Sequence, residues 1–522
     1  MRLTKKKFVE NAVGRMIPKE LKGRKLVPYQ GFGKGSIPER KASPKVRRRL
    51  PGENKILDSI EEAIDKSELA DGMTISFHHH FRGGDRLMTM VFDKIAAKGI
   101  KDLTLAPSSI HPVHAPLVKH IESGVITNIQ TGTTGPVGDA ISHGKLKGLL
   151  TVRSHGGRAR AIEDGDCHID VAFIGAPTAD EFGNLNGVVG YQVCGPLGYM
   201  VPDAQYADCV IAVTNNLVDY PANPISINQN HVDYVVKIEE SIGNPDGIIS
   251  GTTRITKDPI RLKIAKQCVE IIASSGLLKN GFSFQSGAGG ISLAVTKFLG
   301  DYMREHEIRG SFGMGGSTSA LVELLEEGLF KSILDVQAFD IKAIKSLRQN
   351  PNHVEIGASQ YANIHSSGAA VNLLDTVVLG ATEVDINFNV NVVTESDGRI
   401  LHGIGGHQDT SEGAKLAIIA MPLMRGRNPV IVTDVTTVTA PGSNIDAVVT
   451  EYGIALNPAS DYYEIIQKNK SLPFKSIETL RDIGYELAGG EPDPIPFKDR
   501  IVAIIEHRDG TILDVVRQIN YD

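Results

Sequence analysis

Short apolar runs alternate with stretches of helical spacing along most of the chain. A helical pattern covers 57–67, and Asp71-Gly72 turns it into a strand over 73–77. A helix over 86–98, a strand over 103–106, a helix over 116–123 and a strand over 125–130 follow. Strands are also predicted at 171–175 and 210–214. A second series starts with a helix over 259–275, which places a boundary near residue 256. It runs through an apolar lead-in at 281–284, a helix at 293–299, and strands at 335–336, 376–379, 430–432 and 447–449. Strands alternating with helices predict α/β architecture with mainly parallel sheets. The chain thus divides into an N-terminal extension (1–55), a first lobe (56–256) and a second lobe (257–522). The lobes share this logic but show no residue-level repeat. Ligands in such sheets bind beyond the carboxyl ends of the strands, where the loops gather.

Three glycine-rich loops fall at such strand ends. Gln285-Ser286-Gly287-Ala288-Gly289-Gly290 lies between an apolar strand and a helix. Glycine lets a backbone turn sharply or approach a ligand closely, and a following helix points unpaired N–H groups into the loop. That arrangement suits a phosphate, or the oxyanion formed when a thioester carbonyl is attacked. Gly313-Met314-Gly315-Gly316 and His402-Gly403-Ile404-Gly405-Gly406-His407 suit the same close approach. Each, taken singly, reads first as a tight turn. In His78-His79-His80-Phe81-Arg82-Gly83-Gly84, a continuing strand would put His78 and His80 on one face and His79 on the other. Two imidazoles without a Cys or Glu pattern make a poor zinc site, so no metal is expected. Arg82 with neighbouring imidazoles suits a carboxylate, which Arg grips with two parallel bonds. A polar strand end without a ligand is the plainer alternative.

Composition narrows the class. At 522 residues with 41% apolar and 22% charged residues, the chain is ordinary for a globular protein of two or three domains. No apolar stretch approaches the ~20 residues of a membrane span. The four cysteines have no CxxC spacing and no signal-peptide pattern precedes them, so reduced thiols and a cytoplasmic location are expected. Nucleotide-binding and serine-hydrolase signatures (G-x-x-x-x-G-K-[ST], an opening GxGxxG, G-x-S-x-G) are missing. The net charge of −6 is uneven: residues 1–55 hold 17 Lys/Arg against 4 Asp/Glu, and the remainder 38 against 57. A solvated, partly disordered tail is the first expectation for such an arm, and a grip on an acidic partner the second.

Several longer stretches carry a resemblance. Ser76-Phe77-His78-His79-His80-Phe81-Arg82-Gly83-Gly84-Asp85, Ile169-Asp170-Val171-Ala172-Phe173, Asp180-Glu181-Phe182-Gly183-Asn184 and Gln360-Tyr361-Ala362-Asn363 are similar to the alpha subunits of bacterial citrate lyases. The likeness runs from about Ile56 to Gln518. More distantly, the Gly287–Gly290 loop, Tyr361-Ala362-Asn363 and Gly403-Ile404-Gly405-Gly406-His407-Gln408-Asp409 resemble acetyl-CoA hydrolases and 4-hydroxybutyrate CoA-transferases. The resemblance implies two lobes of the CoA-transferase (NagB/RpiA-like) fold. It implies exchange of the acetyl group on an acyl carrier protein for citrate, with a CoA-like arm supplied by that carrier and no cofactor held covalently by this chain. CoA or acetyl-CoA would serve as analogue. A separate lyase subunit would complete the complex, with no nucleic acid or membrane partner. Citramalate in place of citrate, an acetate CoA-transferase or acyl-CoA hydrolase, and a silent scaffold are the alternatives.

The distant relatives carry a nucleophilic Glu before a Met; the matching position here is Gly313, before Met314. Glycine forms no acyl intermediate, which favours direct transfer through a mixed anhydride, although a displaced Glu323 or Glu383 remains an alternative. By the same resemblance the N–H groups around Gly289, Gly290, Gly405 and Gly406 are the oxyanion donors, and Asn363 positions the thioester. His78, His80 and Arg82, with Gly83 and Gly84, are assigned to citrate, with Arg425 as a weaker candidate. Gly313, Gly315, Gly316 and His407 complete the substrate-binding set.

Overall fold

The computed structural model describes residues 7–35, 41–248, 255–287 and 289–521. Its frame is two parallel sheets. The first contains Thr74–Ser76 (β1), Leu103–Leu105 (β2), Ile126–Gln130 (β3), Leu150–Val152 (β4), Val171–Gly175 (β5), Cys209–Thr214 (β6) and Tyr234–Lys237 (β7). The second contains Ser283–Ser286 (β8), Gly310–Ser317 (β9), Phe330–Ala338 (β10), His353–Glu355 (β11), Thr376–Leu379 (β12), Leu416–Ala420 (β13) and Ala447–Thr450 (β14). Their spatial orders are 4-3-2-1-5-6-7 and 11-10-9-8-12-13-14, the same topology twice. In each, the strand order reverses beside the first strand, which opens a crevice there. The interior strands read as nearly continuous Val, Ile, Leu and Ala because helices cover both faces.

The duplication also exists at residue level, in side chains that hold turns. Asp170 and Asp375 each accept a bond from the backbone N–H that starts the first strand of their lobe, Thr74 at 2.7 Å and Ser283 at 2.9 Å. Asp180 Oδ1 caps the N–H groups of Phe182 and Asn184; Asp385 Oδ1 caps those of Asn387 and Asn389. Asn186 and Asn391 each accept from the two N–H groups two and three residues on. The accepting pairs, Asp170 and Asp375, Asp180 and Asp385, Asn186 and Asn391, are each 205 residues apart. Hydrophobic period does not register them because they are isolated polar residues in turns.

Two expectations are corrected. The second lobe does not extend to the C-terminus: Phe497–Glu506 (β15) and Ile512–Ile519 (β16) return to the first sheet, β15 parallel to β4 and β16 antiparallel to β15. This covers an edge that β4 would otherwise leave open. Nor is the described part of the basic arm a solvated tail. Ile17, Leu26 and Tyr29 are buried, packed on or hydrogen-bonded to the final hairpin, and Asn11 Nδ2 donates to the carbonyls of Ile512 and Leu513. Its cations meet acids of the body: Arg15 with Asp514, Arg24 with Glu506, Lys41 with Asp166, Lys45 with Asp208, Arg47 with Asp233. Part of the charge asymmetry thus fastens the arm to the body. Residues 1–6 and 36–40 of the arm lie outside the described residues.

The lobes meet through helices that follow matching strands: His155–Asp164 (α1) after β4 and, in the second lobe, Ala358–Ala362 after β11. A side chain at Gly156 would overlap the Ala362 carbonyl, and one at Gly132 would overlap the Gly403 backbone. These positions need glycine because two backbones touch.

Candidate functional site

The carboxyl ends of both sheets open into one cavity of about 770 Å³ between the lobes. The first lobe contributes His79, Arg82, Ser108, His111, Arg153, His155 and Tyr199 from loops after β1, β2 and β4 and before β6. The second contributes Gly287, Gly289 and Gly290 after β8, Gly316, Gln337 and Phe339 from β9 and the end of β10, and the segment Leu401 to His407. A cavity at the crevice of two facing sheets suits two substrates that must react with each other.

The imidazoles are arranged differently from the sequence expectation. β1 ends at Ser76, so strand alternation does not reach the triplet. His79, not His78 or His80, lines the cavity. Its Nδ1 lies 2.7 Å from Ser108 Oγ and its Nε2 3.2 Å from Gln337 Oε1. The carboxamide oxygen only accepts, so Nε2 carries the proton and Ser108 donates to Nδ1. The ring stacks on His155, with centroids 5.5 Å apart. His78 donates from Nε2 to the Gly175 carbonyl at 2.9 Å, and its Nδ1 faces His80 Nδ1 at 2.5 Å. Those two rings support the loop from behind. Burial pulls the imidazoles down, to about 4 for His78 and about 3 for His111 and His155, and well below the usual range for His79 and His80. They are neutral, polar groups at neutral pH.

Positive charge in the interior therefore comes from arginine. Arg82 holds a left-handed backbone (φ +51°), and its guanidinium lies 4.3 Å from the Phe339 ring centroid. Its Nε is buried without a hydrogen-bond partner, no carboxylate pairs with it among the described residues, and burial lowers its pKa to about 10. Arg153 also lines the cavity, but Glu506 neutralises it with bonds of 2.6 and 3.2 Å. Buried among Arg24, Arg153 and Arg160, Glu506 is held down to about 2 by those guanidinium groups against the opposing effect of burial.

The glycine loop lies as the sequence indicates. Gly289 precedes the helix Gly290–Glu305, and a methyl group there would meet nothing within 4 Å. The first N–H groups of that helix lack intrahelical acceptors and border the cavity. Ala288 lies outside the described residues. Gly405, Gly406 and His407 also line the cavity; His407 donates from Nε2 to the Gly380 carbonyl at 3.1 Å, and burial lowers its pKa to about 4. Gln285 Nε2 donates to Tyr361 Oη at 3.0 Å.

Several assigned positions lie elsewhere. Gly83 and Gly84 do not line the cavity; a side chain at Gly84 would overlap the Asn244 backbone, so glycine there serves packing. Gly313 faces Leu321 at 2.6 Å from its missing Cβ, and Gly315 (φ +100°) packs against Gln285, leaving Gly316 as the glycine of this stretch that reaches the cavity. Asn363 is buried in the contact between lobes, donating to Glu163 at 2.9 Å. Arg425 does line the cavity, at its half-exposed rim. The sequence reading missed the cavity roles of His79, His111, His155, Tyr199 and Tyr361. His79 and Tyr361 had a usable signal, each as part of a quoted motif.

Among the described residues no Asp or Glu lines the cavity. Glu323 is exposed beside Lys342, and Glu383 is buried against Asn391 and Thr436. Outside the cavity, His168, Asp170 and Asp208 bring three potential metal ligands together at the surface, where the Lys45 ammonium already contacts Asp208 at 2.9 Å.

Comparison with known proteins agrees with this architecture. The family model for citrate lyase, alpha subunit, matches residues 53–519. The citrate lyase alpha chain of Klebsiella pneumoniae is 48% identical over 495 residues, covering 95% of this chain and 96% of the relative. A crystal structure of the alpha subunit of citrate lyase in complex with citrate, from Streptococcus mutans, is 50% identical and superposes with a TM-score of 0.94, covering 98% of this chain and 100% of that one. The 4-hydroxybutyrate CoA-transferase of Porphyromonas gingivalis shares the fold at 16% identity, with a TM-score of 0.52 over 83% of this chain and 96% of the other. With the doubled sheet and the cavity between its halves, this likeness over nearly the whole length settles the family: the chain belongs to the citrate lyase alpha subunits, the citrate–acyl-carrier-protein transferases.

Proposed function

We propose that the chain exchanges the acetyl group of an acetylated acyl carrier protein for citrate inside this cavity, without a covalent enzyme intermediate. The observation that carries the reading is a substrate-sized cavity with oxyanion donors and a guanidinium but no carboxylate among its described lining residues. With no carboxylate among the described lining residues to attack, the nucleophile is a carboxylate of citrate. Its oxygen forms a bond to the acetyl carbonyl carbon; the C–S bond breaks and the carrier thiolate leaves, giving a citryl–acetyl anhydride. The thiolate then attacks the citryl carbonyl, the anhydride C–O bond breaks, and acetate departs. No net proton moves, which suits walls of neutral imidazole.

Arg82 grips a citrate carboxylate, and neutral His111, whose Nε2 is buried without a partner, orients the acid by a hydrogen bond. The N–H groups at Gly289–Gly290, with those at Gly405–Gly406, stabilise each tetrahedral oxyanion, worth roughly 3–4 kcal/mol per donor in sites of this type. Holding both substrates in one cavity supplies the proximity advantage. The support for citrate is the bound ligand of the Streptococcus mutans protein. The prosthetic arm comes with the carrier, and a lyase subunit consumes the product. The reaction belongs in the cytoplasm; four unpaired cysteines are in keeping with that, and no helix among the described residues is long and apolar enough to cross a membrane.

The test uses the purified chain with acetyl-CoA in place of the acetylated carrier and citrate or citramalate as acceptor, with the acyl-CoA products weighed. Citryl-CoA with release of acetate is the expected result. Citramalyl-CoA would change the acid, and no product with acetyl-CoA or with the acetylated carrier would overturn the reading.

A further inference from the structure

The arginines of the cavity fall into two groups by depth. Arg82 and Arg153 are interior. Arg261 and Arg425 line the same cavity with side chains 51% and 52% exposed, so they form its rim. They come from different elements. Arg261 lies in the first turn of the helix Pro259–Ser274. Arg425 belongs to a small hairpin in which Met424–Arg425 pairs with Asn428–Pro429 across a Gly426-Arg427 turn. Arg427 at its tip is exposed and has no ion pair among the described residues. Carboxylates outside the lining engage these cations weakly: Asp258 is 3.6 Å from Arg261, and Glu395 is 3.7 Å from Arg425 and is shared with Arg399 at the same distance. Arg261 and Arg425, each weakly paired at the opening, with Arg427 at the tip of the Arg425 hairpin, form an anion trap.

We infer that this arginine rim holds the phosphate groups of the pantetheine-linked thioester while its acyl end reaches the Gly289–Gly290 loop. The inference rests on the transfer proposed above. The acyl carbon must lie deep, beside the helix N-terminus and the acid on Arg82. The donor is a long substrate whose phosphates sit at the far end of the pantetheine chain, so they emerge where the cavity opens. A planar guanidinium forks a phosphate bidentately and remains effective at a wet surface through charge as well as geometry. Citrate has no such tail and is served by interior Arg82. The rim therefore reads the donor and the interior reads the acid, which moves Arg425 from the citrate set to the donor set.

The experiment compares wild type with R261A, R425A and the R425A/R427A double variant; these sites are exposed, and circular dichroism checks folding. Steady-state KM is measured for acetyl-CoA, for S-acetylpantetheine, which lacks the nucleotide and its phosphates, and for citrate. Calorimetry of CoA and pantetheine gives binding independently of turnover. For R425A/R427A the expected result is a rise of roughly three- to tenfold in the acetyl-CoA KM and CoA Kd, the range for exposed charge pairs. The salt dependence of CoA binding should flatten with it. Values for S-acetylpantetheine and citrate should move less than twofold. An equal rise for both donors, a rise confined to citrate, or unchanged CoA binding would each overturn the rim assignment. Wild-type chain that transfers citrate from the acetylated carrier but binds no CoA would overturn it too and leave the transfer reading standing. Absence of transfer with every donor would remove the reading on which it rests.

Discussion

Arg82 is a charge that the ligand-free fold carries at a cost. Burial lowers its pKa from 12.5 to about 10, which corresponds to about 3 kcal/mol against the charged form. The cation–π contact with Phe339 returns about 1 kcal/mol. Arg82→Met keeps an unbranched side chain at the same left-handed backbone and removes the guanidinium, with its charge and its contact with Phe339. Without ligand the variant should be more stable than wild type by about 2 kcal/mol, because burying an unpaired charge is costly. With citrate the order should reverse. A ligand at 100 times its Kd stabilises the folded state by about 2.7 kcal/mol, and the variant should lose this gain together with its grip on citrate. The assay is denaturant unfolding with and without citrate, joined to steady-state kinetics. The citrate KM should rise by roughly a hundredfold, the scale of two charge-assisted hydrogen bonds, and the acetyl-CoA KM should stay near wild type. A variant less stable than wild type without ligand that still gains stability from citrate would refute the reasoning.

Gly289→Ala should fold normally, since its methyl group meets nothing within 4 Å, and should lose roughly ten- to a hundredfold in kcat by crowding the thioester; full activity would remove this loop from the chemistry. Glu323→Ala should keep transfer within twofold, and peptide mass spectra after acetyl-CoA and borohydride should show no modified Glu; a trapped Glu would restore the covalent route. Between Glu412 and Asp509, which outweigh the opposing effect of burial, His507 is raised from 6.5 to about 9. A raised imidazole stabilises fully below its unfolded pKa, so about 3 kcal/mol should be present below pH 6.5, decline as pH rises, and be lost beyond about pH 9. Unfolding midpoints at pH 6 and 9.5 should therefore differ more for wild type than for His507→Gln, and parallel behaviour would count against the charged-histidine assignment.

Much of the architecture was legible because hydrophobic period depends on local geometry. The helix expected over 259–275 is Pro259–Ser274, and the strands expected at 171–175 and 376–379 appear at those residues. Short interior strands such as β4 were not foreseen, since three buried residues leave no period to read. The strand expected over 430–432 exists, but as Ile431–Val432 in a small sheet beside the second lobe rather than in its main sheet. The glycine loops were visible as turns, and only the packed structure shows that Gly316 and Gly406 line the cavity while Gly84 and Gly313 do not, although all four make room for a neighbouring group.

By itself the sequence determined the α/β alternation, the doubled lobes and the family, because these follow from the order of apolar runs and from long matching stretches. Tertiary structure decided the rest. Which histidine lines the cavity depended on where β1 stops: one residue of register turns a side chain to the opposite face, and beyond Ser76 no strand remains to impose alternation. Whether the basic arm is free depended on distant acids, since Asp514 and Glu506 lie nearly 500 residues from Arg15 and Arg24. The absence of a carboxylate among the described walls is likewise a property of assembly. Glu323 and Glu383 are close in sequence to lining residues, yet both point elsewhere. Local pattern sets the elements, whereas direction and proximity arise only when the elements pack.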